Sequence, residues 1–252
     1  MPVFVDLGNT RLKWVADAAG AEIARGALAH AGVLPDGLEA QWAALPATAD
    51  VYVASVASCA IDASLDDLAQ RRFSRAAHFV RSPAEALGIR NAYAEPARFG
   101  VDRFLGLAAL HAAHARAQVL VGVGTAMTLD ALDADGTHLG GWILPSPALM
   151  RAAVLARTAR VDAAEGALVD FATDTADALH SGSLQAARGT VERFAANVAC
   201  ALQTWPAVVL TGGGADELSA LLPGAERAPD LVVAGLRLWA ASAASDFARA
   251  SQ

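Results

Sequence analysis

The chain is poor in cysteine: Cys59 and Cys200 are the only two in 252 residues, far apart and outside any CxxC. That excludes a disulfide framework and predicts two buried free thiols in a reducing compartment. Basic clusters are also missing. The 19 Lys and Arg are scattered among 26 Asp and Glu, and the net charge of −7 argues against a general nucleic-acid-binding surface. No apolar run is long enough and free enough of charge to span a bilayer, so no membrane partner is expected. No basic segment with an apolar signal core opens the chain, since an acidic residue arrives at Asp6, and a cytoplasmic location is expected. A G-x-x-x-x-G-K-[ST] sequence is absent, which disfavours a P-loop. Gly122-Val123-Gly124-Thr125-Ala126-Met127 lacks the third glycine of a dinucleotide fingerprint. The six histidines are dispersed, and the i, i+3 pair His111 and His114 has no third ligand nearby, so it reads as structural rather than zinc-binding.

What the chain does have is 55% hydrophobic residues and a mean hydropathy of +0.36, enough to bury a sizeable core in one large domain or two modest ones. Its most informative stretch is Val3-Phe4-Val5-Asp6-Leu7-Gly8-Asn9-Thr10. An apolar run that ends in glycine and small polar residues reads as a buried strand entering a tight turn. Such a turn suits phosphate oxygens, and a carboxylate at the strand end is placed to hold Mg²⁺ directly or through water. The pattern recurs in Val119-Leu120-Val121-Gly122-Val123-Gly124-Thr125-Ala126-Met127-Thr128-Leu129-Asp130. One copy alone is as compatible with an ordinary hairpin or βα turn. Two copies suggest a duplicated architecture in which facing turns clamp a nucleotide phosphate chain.

Along the chain, residues 2–7 read as a strand and 12–16 as its hairpin partner. Helix-favouring sequence fills about 34–45. A strand is expected at 51–56, a helix at 61–74, a short strand at 78–80 and a helix over about 101–116 behind the break at Pro96–Gly100. Strands near 119–123, 126–132 and 138–144 precede helices near 147–157, 174–181 and 183–203. A strand at 207–210 enters Thr211-Gly212-Gly213-Gly214, and a last helix covers about 231–247. Hairpins followed by alternating strands and helices imply an α/β fold with mixed sheets and helices on their faces. No Pro/Ser-rich linker marks a boundary, and the expected division is 1–117 and 118–252.

Asp102 and Arg103 follow the Phe99-Gly100 turn at a helix start. A carboxylate there, beside a fixed cation, stays ionised and can accept a proton from an alcohol. Arg103 can pair with a polar or anionic substrate through its planar fork. Taken alone, an N-capping Asp with a surface Arg is the commoner explanation. Backbone bared by Gly212–Gly214 can lie against an adenine ring, although a flexible strand–helix turn explains it equally well.

Four ordered features together resemble the type III pantothenate kinases, also called the Bvg accessory factor family, of the acetate-and-sugar-kinase and actin superfamily. They are Asp6-Leu7-Gly8-Asn9-Thr10 with Lys13, Gly100-Val101-Asp102-Arg103, Gly124-Thr125-Ala126 leading to Asp130, and Gly140-Gly141-Trp142-Ile143-Leu144-Pro145, with a weaker match at Thr175 and Ser181-Gly182. The resemblance implies two ribonuclease H-like (actin-like ATPase) domains, each a mixed five-stranded sheet with flanking helices. It implies a phosphotransferase that uses ATP and Mg²⁺ to phosphorylate pantothenate, the first step of coenzyme A synthesis. By the same resemblance Asp6, Leu7, Gly8, Asn9, Thr10, Arg11, Leu12 and Lys13 bind ATP with Thr125, and Asp6 places the metal. Asp102 is the implied base, and Tyr93, Gly100, Val101, Asp102, Arg103 and Thr175 line the pantothenate site, Thr175 reaching it from the neighbouring subunit of a homodimer. For Tyr93 a half-buried loop anchor, and for Thr175 a simple N-cap, are the bland alternatives.

The chain departs from the family pattern at two places. Gly122 stands where the family has an Asp that helps bind an activating K⁺ or NH₄⁺, and Ser146 stands where a glycine follows Pro145. The first departure puts the monovalent cation in doubt and is the main support for a competing function, a catalytically weak regulatory or accessory protein. A sugar or acetate kinase on the same scaffold would need longer substrate-domain insertions than 252 residues accommodate.

Overall fold

The computed structural model describes residues 1–158 and 165–250. It contains β1 (Pro2–Leu7), β2 (Arg11–Ala18), β3 (Ala21–Ala29), α1 (Gly37–Trp42), β4 (Asp50–Ser55), α2 (Cys59–Phe73), β5 (His78–Phe79), the short hairpin β6 (Glu85–Ala86) and β7 (Ile89–Arg90), and α3 (Val101–Ala113). There follow β8 (Gln118–Val123), β9 (Ala126–Leu132), β10 (His138–Pro145), α4 (Pro147–Leu155), α5 (Thr175–Leu202), β11 (Ala207–Thr211), α6 (Ala215–Ser219), β12 (Glu226–Arg227) and α7 (Leu231–Ala250).

The duplication expected from the two glycine turns is present in the topology. One five-stranded sheet has the order β3-β2-β1-β4-β5, and the other β10-β9-β8-β11-β12. In each, the middle strand is antiparallel to its hairpin partner and parallel to the strand reached by crossover. Alternation along β1 puts Val3, Val5 and Leu7 on one face, where they pack with Leu12, Trp14, Val51 and Val53 under Leu38 and Trp42 of α1 and Leu65, Leu68 and Phe73 of α2. The second sheet repeats this with Val119, Val121, Val123, Met127 and Leu129 under Ala187, Val191, Phe194 and Val198 of α5.

The chain divides into two compact units, Met1–Ala113 with Leu231–Gln252, and His114–Asp230. The first break lies close to the expected residue 117, but the proposed 118–252 domain is corrected at its far end. The helix α7 packs on α3 so closely that a Cβ on Gly235 would lie 2.3 Å from the Leu105 carbonyl oxygen. Arg237 holds it further: its Nε and Nη2 donate to the two oxygens of the buried Asp17 at 2.8 and 2.9 Å, and its guanidinium lies 5.9 Å from the Phe4 ring. The Asp17 carboxylate raises the Arg237 pKa above its ordinary value, against the opposing effect of burial.

Other expectations also change. The helix read at 34–45 shrinks to α1, and β3 forms where no element was expected. The two helices read at 174–181 and 183–203 are the single α5. Cys59 and Cys200 are exposed rather than buried, because both sit on the outer faces of helices. No helix among the described residues is long and apolar enough to cross a membrane.

The α3–α7 contact makes a contrast between two glycines measurable. Gly235→Ala is expected to destabilise the protein by about 1–3 kcal/mol through overpacking. Gly189→Ala, in α5 where an added Cβ would meet nothing within 4 Å, should stabilise it by up to about 1 kcal/mol. Urea midpoints check both, and an unchanged midpoint for Gly235→Ala would show that the two helices have room to spare.

Candidate active site

The first turn is built by the end of β1. Gly8 N–H donates to the Arg11 carbonyl at 3.0 Å, closing the hairpin, and Val56 N–H donates to the Leu7 carbonyl at 3.1 Å from the loop leaving β4. Asp6 and Lys13 are directly opposed across β1 and β2, on the sheet face opposite Val5 and Leu7. Both are half-buried, while Asn9, Thr10 and Arg11 are exposed. Leu7 and Leu12 are fully buried in the core, so their side chains hold the hairpin and only their backbone is available near the turn. Asp6 is a hard oxygen donor and so suits Mg²⁺ in kind. Among the described residues no cluster of three His, Cys, Asp or Glu side chains forms a ready-made metal site.

A second constellation in the same unit gathers at the start of α3. The segment leading to it is pinned by Asn91, whose side chain donates to the Pro83 and Pro96 carbonyls at 3.1 and 3.3 Å and accepts from Tyr93 N–H at 3.0 Å. Ser82 Oγ donates to the Phe99 carbonyl at 2.8 Å. Arg103, although charged, is only 7% exposed. Its guanidinium lies 4.7 Å from the centroid of the Phe99 ring, and its Nη1 donates to Tyr93 Oη at 3.3 Å. The Tyr93 and Phe99 rings are 5.0 Å apart. Asp102 is half-buried in the first turn of α3, and a Cβ on Gly100 would lie 2.7 Å from its Oδ1, so the carboxylate lies over the Gly100 backbone.

The capping alternative for this pair does not hold. Asp102 is the second residue of α3, Gly100 supplies the carbonyl that accepts from Phe104 N–H, and Arg103 is not on the surface. Val101 is 5% exposed and serves packing. Tyr93 does anchor the segment, as its alternative had it, and it presents its hydroxyl to Arg103 in doing so.

The second unit carries the second turn. Gly124 N–H donates to the Ala126 carbonyl at 2.9 Å, and Gly124 and Thr125 are exposed. Gly214 N–H donates to the Val123 carbonyl at 3.0 Å, and Gly212, at φ +93°, lies where a Cβ would meet that carbonyl oxygen at 2.4 Å. Glycine is therefore required at 212 by packing against β8, whereas at Gly213 an added Cβ would meet nothing. Gly122 faces Thr128, whose Oγ1 lies 2.8 Å from where a Cβ would stand.

Thr175 is exposed as the first residue of α5 and is not its cap. Asp174 is the cap, accepting from Asp177 N–H at 3.0 Å. Asp177 and Ser181 then stitch the preceding segment to the helix, by Ala167 N–H to Asp177 at 2.6 Å and Val169 N–H to Ser181 Oγ at 3.0 Å. A shallow groove of about 370 Å³ lies along this seam, lined by Val169, Asp170, Phe171, Ala172, Ala178, Ser181, Gly182 and Gln185.

His30 and Ser146 also touch the turns. His30 Nε2 is 2.9 Å from the Gly8 carbonyl oxygen, and Ser146 Oγ donates to the Thr125 carbonyl at 2.9 Å. His30 directly follows β3, so pairing β3 with β2 in sequence would have set it across from Thr10.

The profile described as type III pantothenate kinase matches residues 3–197. A type III pantothenate kinase of Stenotrophomonas maltophilia is 46% identical over 241 residues, covering 93% of this chain and 95% of the relative. Among solved structures, a Campylobacter jejuni protein assigned to the Baf family of transcriptional activators superposes with a TM-score of 0.62 at 18% identity, covering 93% of this chain and 95% of that one. MreB 5 of Spiroplasma citri bound to AMPPNP superposes with a TM-score of 0.50 at 12% identity, covering 99% and 98%. These two likenesses bear on the fold, which is that of the actin-like ATPases.

Proposed function

Because this chain belongs to the type III pantothenate kinases, enzymes of the ATP-dependent phosphorylation of pantothenate that begins coenzyme A synthesis, we propose that Asp102 is the general base of that transfer. The observation that carries this is the placement of its carboxylate over Gly100, where a Cβ would meet Asp102 Oδ1 at 2.7 Å and Cδ of the buried Arg103 at 3.4 Å, with Arg103 in turn bonded to Tyr93. Pantothenate offers a primary hydroxyl and a carboxylate. In this reading Asp102 accepts the hydroxyl proton as the oxygen attacks the terminal phosphorus of ATP, while Arg103 and Tyr93 orient the acceptor. The Gly8 and Gly124 N–H groups close their own turns, and in this reading the backbone N–H groups that follow them in the turns at Gly8–Thr10 and Gly124–Thr125 bind phosphate oxygens. Asp6 would hold the Mg²⁺, which neutralises charge on the phosphates.

A coupled ADP-release assay tests this. Asp102→Asn should lower kcat by about 10²-fold or more with an unchanged unfolding midpoint. Near wild-type turnover would remove Asp102 from the mechanism. Absence of pantothenate-dependent ADP release from the unmodified chain would favour the accessory-protein alternative.

The second turn lacks the carboxylate that the family resemblance leads one to expect for a monovalent cation. Gly122 offers only its carbonyl, and the Thr128 hydroxyl fills the space of the missing side chain. Exchanging K⁺ for Na⁺ at constant ionic strength should therefore change kcat by less than about twofold, well under the 1.4 kcal/mol of a tenfold effect. Loss of most of the rate in Na⁺ would show that other groups build the site.

We also infer a homodimer that pairs the second units. Support comes from apolar side chains left exposed on that unit: Ile143 of β10, Leu149 and Val154 of α4, and Leu168 and Phe171 ahead of α5, with Phe171 93% exposed. In that assembly Thr175 completes the partner's pantothenate site. Phe171→Glu should weaken self-association by about 30-fold or more, the effect of losing one interface hot spot, and raise the KM for pantothenate. A wild-type chain that sediments as a monomer at assay concentration would overturn this arrangement.

A further inference from the structure

We propose that His30 and Ser146 are positioning residues for the phosphoryl donor, each holding one phosphate turn by a backbone carbonyl. The proposal rests on the reading of those two turns as phosphate-binding.

At the first turn, the Gly32 N–H donates to His30 Nδ1 at 3.2 Å. That nitrogen therefore carries a lone pair, and in the neutral ring the proton sits on Nε2. The Gly8 carbonyl, 2.9 Å away, can only accept, so Nε2–H donates to it. The His30 backbone N–H donates to the Thr10 carbonyl, also at 2.9 Å. The Gly8 and Thr10 carbonyls are thus both directed at one residue. In a trans peptide the C=O of one residue and the N–H of the next point to opposite sides of the same plane. Fixing the Gly8 carbonyl toward His30 fixes the Asn9 N–H away from it, in the exposed part of the turn. Without the imidazole that plane is free to rotate, and the amide direction on which an anion depends is lost.

At the second turn the hydroxyl of Ser146 does two things. It accepts from Leu149 N–H at 3.2 Å as the N-cap of α4, and it donates to the Thr125 carbonyl at 2.9 Å. Ser146 is 1% exposed, so water does not substitute readily for either bond. The Thr125–Ala126 peptide plane is fixed by this contact, and with it the exposed Gly124-Thr125 corner. A glycine at 146 could supply neither bond.

Steady-state kinetics on single variants separate positioning from simple stability. His30→Phe keeps the ring volume and loses both nitrogens, and His30→Gln restores a donor at the reach of Nε2. Ser146→Ala loses the hydroxyl, and Ser146→Thr keeps it. His30→Phe and Ser146→Ala should each raise the KM for ATP about three- to tenfold, the loss of one hydrogen bond. The KM for pantothenate should move by less than about twofold, and the Gln and Thr variants should return the KM for ATP to within about twofold of wild type. If His30→Phe does not fold, His30→Asn serves, because its amide reaches Gly32 but not Gly8 and should show the same rise. An unchanged KM for ATP, or an equal rise in both KM values, overturns the proposal for the turn concerned. Lys13→Ala and Thr125→Ala are measured alongside. If these leave the KM for ATP unchanged, the phosphate-binding reading itself falls. If they raise it while the His30 and Ser146 variants do not, only the positioning role falls.

Discussion

In each unit the middle strand of the sheet changes pairing sense from one side to the other, and this decides where chemistry can sit. The strand β1 is antiparallel to β2 and parallel to β4; β8 is antiparallel to β9 and parallel to β11. A hairpin turn must begin at the C-terminal end of the middle strand. Because the crossover strand runs parallel, the loop that leaves it begins at that same end. The Gly8–Thr10 turn and the loop after Ser55 are therefore neighbours, joined through Val56 N–H and the Leu7 carbonyl. The Gly124-Thr125 turn and Gly212–Gly214 are neighbours for the same reason, joined through Gly214 N–H and the Val123 carbonyl. Backbone amides collect at one end of each sheet with no need for a long loop.

In the proposed mechanism the acceptor side depends on a buried cation. Arg103 would be costly below the surface without compensation. It is compensated by the Phe99 face and the Tyr93 hydroxyl, both on a segment that Asn91 and Ser82 hold by four side-chain hydrogen bonds. The compensation is also the positioning. A guanidinium packed on one ring and bonded to a second has little freedom to swing toward Asp102 or away from it. The Asp102 carboxylate, one residue earlier, and the Arg103 stem both lie against Gly100, so in the proposed mechanism the proton acceptor stands beside a fixed cation.

The elements legible in the sequence are those where local preference and tertiary demand agree. Val3–Leu7 alternates and ends in a glycine turn, and it is β1. The strand β3 was not legible because Ala-Glu-Ile-Ala-Arg-Gly-Ala-Leu-Ala is rich in helix formers, and edge pairing with β2 decides its state. Gly182 marked a break between two helices, yet a glycine costs only about 1 kcal/mol in a helix interior, which the packing of the 28-residue α5 overcomes. Asp102 was legible as a carboxylate at a helix start, whereas the burial of Arg103 was not. The signal for it was present: Phe99 and Arg103 are four residues apart around a helix start, a spacing that brings a cation to an aromatic face. His30 was hidden with the strand that delivers it.

The duplication makes one further comparison possible. The last ladder pair before the first turn is Leu7 with Leu12, and before the second turn it is Val123 with Met127. One step back, Asp6 faces Lys13 in the first copy, and Gly122 faces Thr128 in the second. The same site in the scaffold thus holds a carboxylate and an ammonium in one half and a hydroxyl opposite a bare backbone in the other. A carboxylate attracts a metal and repels phosphate, and an ammonium does the reverse, so in the proposed reading the first copy would meet a metal–phosphate complex with both signs of charge. The second copy has no charge at that step, so in the proposed reading it acts on an anion through its peptide dipoles and the Thr125 hydroxyl. A turn without a charge depends most on the direction in which its amides point, and that is the turn where a buried serine ties the Thr125 carbonyl down.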